Sequence, residues 1–474
     1  MLVIISDLHL TDGTSGEIIS KSAFRLFKNR LSNMAYDASW RREIKDCSTC
    51  TNGKVCSNCY RPVECIDILL LGDILDAIRS EKWNKTVSDV VPWTTPRDNG
   101  FYQEIDKIVT GILDYNSDSL RILSGLVKDS DISIPLEMYR ATQQDKDKEK
   151  IDYSASKERW RVPVKIYYMV GNHDWFFHID DPRMVAINNK VIDRMGLANE
   201  KGKPFPYHRC DSAAIAATQD AHRVFAEHGD RFDKTNCQYP NRNESSVGDV
   251  VVVELLNCIP ELVGEYLQQH AGRRYGAKQI EAFVNQLREI DNLRPYTLAP
   301  AWITHVKKQL GMEDPVVNDA IKHTLQTVLQ AFIKSPLVVR NKGLVWKMKL
   351  ARWLLGHISV DTLASLLQRT PVVKDNIETY QAYARQLAAG ESKDFFVMGH
   401  THYAEVVPLS TYIGEDGEVR SKIYINTGTW RSVHLQGVEG RFFISYKTMT
   451  MAGFFKGDER KGRPFECWTG SLAL

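Results

Sequence analysis

The sequence predicts a layered α/β fold with large insertions, and two observations carry that prediction. Five short apolar runs rich in β-branched residues recur far apart: LVIISD at 2–7, IDILLLGD at 66–73, VKIYYMVGNHD at 164–174, DFFVMGHTH at 394–402 and KIYINTG at 422–428. They are continuously apolar instead of alternating, as in strands covered on both faces. Between them lie long stretches of different character, one of them helical in period. Each strand ends in Asp, His, Asn or Gly, so five strand ends deliver polar side chains toward one place.

The motif-bearing strands define a discontinuous core at 1–10, 66–79, 164–233 and 394–474, separated by insertions. Residues 11–65 hold a cysteine cluster. Residues 80–163 mix Pro and Trp with the charged run QQDKDKEK, an exposed loop or a solvated helix end. From 250 to 390 apolar residues fall at three- and four-residue intervals in VVVELLNCIPELVGEYL, AIKHTLQTVLQAFI, VWKMKLARWLLGHI and YQAYARQLAA, which predicts a helical cap. The polar segment KTNCQYPNRNESSVGD at 234–249 is the expected hinge.

Composition narrows the class. The 474 residues carry 61 basic and 59 acidic side chains, a formal charge of +2, and are 43% hydrophobic and 25% charged, which excludes a collagen-like, disordered or membrane-spanning chain. Near-neutrality leaves no global field, so electrostatic binding of nucleic acid or of an anionic lipid surface needs a local patch. The run LVII is too short for a secretory signal, and a cytoplasmic location is expected.

The chemistry-bearing residues are, in chain order, Asp7 and His9, Asp73 and Asp76, Asn172 and His173, His228, and His400 and His402. Carboxylate, imidazole and amide oxygen without thiolate suit manganese, iron or zinc. Pairs at i, i+2 reach one site if the strand relaxes into a loop, and glycine before Asp73, Asn172 and His400 allows a sharp backbone turn.

The blocks SDLH, GDILD, GNHD, EHGD and GHTH resemble, in order, the motif set of the calcineurin-like metallophosphoesterase superfamily. The resemblance implies a four-layer α/β/β/α sandwich with two central mixed sheets. It implies a first metal on Asp7, His9 and His402, a second on Asn172, His228 and His400, and Asp73 bridging them. His173 is then the group beside the leaving oxygen, with Asp76 fixing its tautomer. The implied reaction is phosphoester hydrolysis by in-line attack of a hydroxide bridging two divalent ions. AIR after GDILD, and GNHD in place of GNHE, disfavour the phosphoprotein-phosphatase version, and Asp76 stands where purple acid phosphatases have tyrosine. HGDRFD at 228–233 and GHTH followed by YINTGTW are similar to the lipid A precursor pyrophosphohydrolase branch, which carries a smaller helical lid at the cap's position. Asn426 and Trp430 are expected to support the loop behind the metals.

Two further features bear on substrate. Between Lys334 and Val360 there is no acidic residue, and Lys347, Lys349 and Arg352 lie among Trp346 and Trp353. Such a face tracks a phosphate backbone, lies on anionic lipid, or is a solvated lysine face. Cys47, Cys50, Cys56 and Cys59 read C-x2-C-x5-C-x2-C, the spacing of one structural zinc. That knuckle staples its insertion or guides nucleic acid. A knuckle and a basic cap gripping an extended polyanion favour a phosphodiester in nucleic acid or a nucleotide. The alternatives are pyrophosphate hydrolysis in a nucleotide-linked lipid at a membrane surface, and a metal-binding interaction module of a larger complex.

Overall fold

Fourteen strands form among the described residues of the computed structural model: β1 (Leu2–Ile5), β2 (Ile66–Leu71), β3 (Ser133–Pro135), β4 (Met138–Ala141), β5 (Asp152–Ala155), β6 (Arg159–Arg161), β7 (Val164–Met169), β8 (Val224–Ala226), β9 (Phe395–Met398), β10 (Ala404–Ile413), β11 (Val419–Thr427), β12 (Ser432–Gln436), β13 (Phe443–Phe454) and β14 (Phe465–Leu472). The structure describes residues 1–474 except 17–18, 42–46, 51–53, 85–89, 142–151, 294–297, 358–376, 415–416, 438–441 and 473–474. The run QQDKDKEK and part of the loop between the cysteine pairs therefore lie outside the described residues.

Two mixed sheets organise the molecule. The first has the order β12-β13-β1-β2-β7, with β14 also on β13; β1, β2 and β7 are parallel and β13 runs antiparallel to β1. The second has the order β10-β11-β9-β8, in which β8, β9 and β11 are parallel and β10 is antiparallel. Parallel pairing brings the C-terminal ends of β1, β2 and β7 to one edge, and those of β8 and β9 to another.

The continuous apolar runs have a simple cause. Val3, Ile5, Ile68, Leu70, Ile166 and Tyr168 enter one core with the helices, and their alternate neighbours Leu2, Ile4, Leu69, Leu71, Tyr167 and Met169 enter another with Val224, Ala226, Phe395, Val397 and Ile425 of the second sheet. Both faces of each strand are therefore buried.

On the helix side lie α1 (Lys21–Ala38), α2 (Asn99–Tyr115), α3 (Ser117–Lys128) and α4 (Pro182–Met195), with Phe24, Phe27, Ile105, Ile108, Leu123 and Val191 in the shared core. Helices from the two stretches read as insertions thus belong to the same packed body as β1, β2 and β7. Beyond α5 (Ala213–Ala221), the outer face of the second sheet is covered by the helix Ile377–Gly390, whose Tyr380, Ala384 and Ala388 pack on Phe225, Phe396, Met398 and Tyr424. Periodicity assigned that helix to the cap; an apolar stripe declares that a face is buried, not which layer buries it.

The cap comprises α6 (Val247–Val251), α7 (Cys258–Ala271), α8 (Ala277–Arg288), α9 (Ala299–Gln309), α10 (Pro315–Lys334), α11 (Pro336–Val339) and α12 (Lys342–His357). Val263, Phe283, Trp302, Val306 and Ile321 give it a core of its own. It sits on loops that follow core strands. Asn257 Nδ2 donates to the carbonyls of Ile78 and Ser80 (3.0 and 3.2 Å), and Trp175 Nε1 donates to Asp249 (3.1 Å). The expected hinge is tied down as well: buried Arg242 donates to the Gly171 carbonyl (2.6 Å), and Ser246 and Asp249 cap α6 reciprocally. The polar side chains of that stretch are taken up in these hydrogen bonds. No helix among the described residues is long and apolar enough to cross a membrane.

Candidate metal centre

The two parallel edges meet at a largely buried cluster of carboxylates and imidazoles. The backbone past β1 stays paired with that past β2, through Asp7 N–H to Gly72 O (3.1 Å) and His9 N–H to Asp73 O (2.8 Å). From the second sheet, the His400 N–H donates to both Asp7 carboxylate oxygens (3.1 Å each). Asp7, His9, Asp73, His400 and His402 all have positive φ, between 47° and 68°; they are five of nine such non-glycine residues among those described. Each left-handed residue costs about 1 kcal/mol or more. Both D-x-H and H-x-H thus turn two side chains the same way by the same backbone device.

The preceding glycines act in two ways. Gly72 has φ 80°, a true turn. Gly171 and Gly399 instead leave room, since a Cβ there would collide with the carboxylates of Asp73 and Asp7.

The seven proposed ligands separate into two sets sharing one residue. His9 Nε2 lies 2.9 Å from His402 Nε2 and 3.8 Å from Asp7 Oδ1, and His402 Nε2 lies 3.4 Å from the same oxygen. Asn172 Oδ1 lies 3.2 Å from His228 Nε2 and 2.8 Å from His400 Nδ1. Asp73 Oδ2 stands between the sets, 3.8 Å from His9 Nε2 and 3.2 Å from His228 Nε2. Its other oxygen accepts the His173 N–H at 2.8 Å.

The donor chemistry fits cations. His228 Nδ1–H donates to the Leu71 carbonyl (2.9 Å), His9 Nδ1–H donates to Asp76 Oδ2 (2.8 Å), and His400 Nε2 faces Asp233 Oδ2 (3.4 Å). Each imidazole is held from behind and turns its other nitrogen inward, as metal-ligating histidines do. Asp7 and Asp73 are fully buried; burial would raise their pKa values, but the surrounding imidazoles outweigh it and hold both well below the usual carboxylate range.

Asp76 also accepts from His173 Nδ1–H through Oδ1 (2.7 Å), so one carboxylate orients the expected ligand His9 and the expected proton donor together. Burial lowers the His173 pKa, but the charges of Asp76 and Asp73 outweigh it and raise it to about 10. Asp174 takes no place among the ligands. It accepts from the N–H groups of Gly171 and Ile74 and from the Tyr168 hydroxyl, bracing the GNHD loop.

Asn426 and Trp430 serve as expected, behind the site. Asn426 Nδ2 donates to the Gly399 carbonyl (2.8 Å), and Trp430 is buried against Phe24 and Phe27 while its Nε1 donates to Thr450 O (3.1 Å). Asp233, and the left-handed backbone of Asp7, His9, Asp73, His400 and His402, were not read from the sequence. For Asp233 the only signal is its place in HGDRFD, one turn beyond His228.

The four knuckle cysteines converge. Their sulfurs lie within 4.8 Å of one another, with Cys47–Cys56 at 3.4, Cys50–Cys56 at 3.6, Cys50–Cys59 at 3.8 and Cys56–Cys59 at 3.9 Å. A tetrahedral zinc with bonds of about 2.3 Å would set sulfurs about 3.8 Å apart. The Thr49 hydroxyl, with Cys59 and Cys56, draws the Cys47 thiol down to about 5. The knuckle lies at the far end of the sheet from the site. Its Cys59 carbonyl accepts from the Arg41 N–H, Ser39 Oγ accepts from the Val63 N–H, and Cys65 O accepts from the Met1 amino group, all at the N-terminal ends of β1 and β2. These bonds tie the knuckle to the edge of the sheet opposite the strand ends that carry the site.

Lys347, Lys349 and Arg352 are exposed on α12, whose Leu344, Val345 and Met348 pack on Val250, Phe332 and Val338. The structure keeps them on the outer surface of the cap, and Arg352 donates to Gln330 (2.8 Å). Compared with protein-family models, curated proteins and solved structures, the chain matches none.

Proposed function

We propose that the protein is a dinuclear-metal-dependent phosphoester hydrolase on a four-layer α/β/β/α metallophosphoesterase sandwich. The observation that carries this reading is Asp73, whose single oxygen faces an Asp7–His9–His402 set on one side and an Asn172–His228–His400 set on the other. The packing of helices on one sheet, that sheet on the second, and a further helix on the outside supports the layered architecture.

Two divalent cations held there would neutralise phosphoryl oxygens and acidify water for attack. The chain's own groups do the rest. His173, protonated and held through Nδ1 by Asp76, presents Nε2 to the leaving oxygen and donates its proton there. Asp76 keeps His9 and His173 in one tautomer, and Asp233 does the same for His400.

The substrate class we favour is a phosphodiester in nucleic acid or a nucleotide, recognised by the basic face of α12. One observation favours a second reading, pyrophosphate hydrolysis in a nucleotide-linked lipid: Trp346 (65% exposed), Leu350 and Trp353 (58%) share one side of that helix. With manganese the protein should hydrolyse bis(p-nitrophenyl) phosphate, and Asp73→Asn should abolish turnover. Inertness toward a broad phosphoester panel despite bound metal would leave the interaction-module reading. Neutralising Lys347, Lys349 and Arg352 should flatten the salt dependence of single-stranded DNA binding. If that slope is unchanged and anionic-vesicle flotation is lost instead, the lipid reading takes its place.

A further inference from the structure

We infer that Arg79 and Arg431 form an anion subsite beside the metal centre, filled in this structure by the cap's own Asp291, and that it receives the substrate group adjacent to the scissile phosphate. The identity of that group rests on the phosphoesterase reading; the subsite itself does not.

Each arginine is rooted in a loop of the site. The Arg79 N–H donates to Asp76 Oδ1 (3.1 Å), the oxygen that holds His173. Arg431 follows Trp430 and Thr429, and the Thr429 hydroxyl donates to the Asp7 carbonyl (2.7 Å). Both side chains are 1% exposed, and arginine is almost never so buried without an anion. They meet on one atom: Asp291 Oδ2 lies 3.2 Å from Arg79 Nη1 and 2.8 Å from Arg431 Nη1. That oxygen comes from the cap turn Glu289–Asn292, so the anion is supplied by a separate packed unit. Arg79 Nε is buried with no hydrogen-bond partner.

Two guanidiniums converge here on one carboxylate oxygen. A phosphoryl group, with up to two negative charges and three oxygens, matches the fork geometry better. The bond from the Arg79 N–H to Asp76, the carboxylate that holds His173, sets the subsite on the His173 side of the centre. Moving the turn away exchanges one anion for another and leaves neither arginine bare. His434, which faces Glu289 at 3.1 Å, is a further attachment of the turn to the core.

The test is calorimetric titration of metal-loaded protein, excess metal removed, with pyrophosphate and orthophosphate. Asp291→Asn should tighten pyrophosphate binding about tenfold, one charge-assisted hydrogen bond's worth, and leave orthophosphate within about twofold. Adding Arg431→Gln to that variant should return pyrophosphate affinity to the wild-type value. If the double variant does not fold, Asp291→Asn decides alone. An unchanged pyrophosphate affinity, or equal shifts for both anions, would reduce the trio to a latch that pins the cap. A subsite that responds as expected in a protein inert toward bis(p-nitrophenyl) phosphate would retain this inference and discard the hydrolase reading.

Discussion

Asp76 holds His9 with one oxygen and His173 with the other, so its removal should damage two functions at once. Asp76→Asn is expected to lower both metal affinity and turnover. His173→Ala should lower kcat by about a hundredfold or more with metal content unchanged, as measured by elemental analysis beside steady-state rates. Asp233→Asn, behind His400, should weaken metal binding about 10- to 100-fold. A pH effect belongs to His222, away from the site. Its Nδ1–H donates to Thr218 O (2.8 Å) and its Nε2 is buried without a hydrogen-bond partner, so burial lowers its pKa to about 4. The depressed value makes neutral His222 stabilising above its ordinary pKa, and that contribution is lost as pH falls toward 4. Between roughly pH 7 and pH 4 the wild type should lose about 3 kcal/mol more than His222→Gln in denaturant titrations. At this scale residue type was legible in the sequence and backbone state was not. Asp7, His9, Asp73, His400 and His402 announce themselves by chemistry, whereas their left-handed φ values follow from the tertiary frame that holds them.

The strands were the most legible elements, because both faces of β1, β2 and β7 are buried and burial writes a continuous apolar run. Helices were legible as helices but not as to layer: the stripe on Ile377–Gly390 looks like those of the cap, yet it covers the second sheet. The knuckle shows the same limit. C-x2-C spacing specifies a tetrahedral site, while its position at the N-terminal ends of β1 and β2 depends on the course of α1 back along the sheet. Replacing Cys47 and Cys50 by serine should therefore remove one zinc and lower Tm by roughly 5 °C, leaving kcat/KM for bis(p-nitrophenyl) phosphate within about twofold. A large loss of activity in a folded variant would mean that the knuckle communicates with the site.

Across the whole molecule, two sheets converge their strand ends and a cap with its own core closes over the loops beyond them. The charge of +2 conceals this arrangement: the buried carboxylates of the site lie in the core, and Lys347, Lys349 and Arg352 lie on the cap surface. The Arg79–Asp291–Arg431 contact between the two units had no sequence signal, since it joins residues more than a hundred positions apart through a turn of unremarkable composition. The central claim is a pair of cations bridged by Asp73, and anomalous diffraction from manganese-soaked crystals tests it most directly. Two peaks about 3.5–4 Å apart are expected, one within reach of Asp7, His9 and His402 and one within reach of Asn172, His228 and His400. A single peak, or none at these side chains, would contradict it.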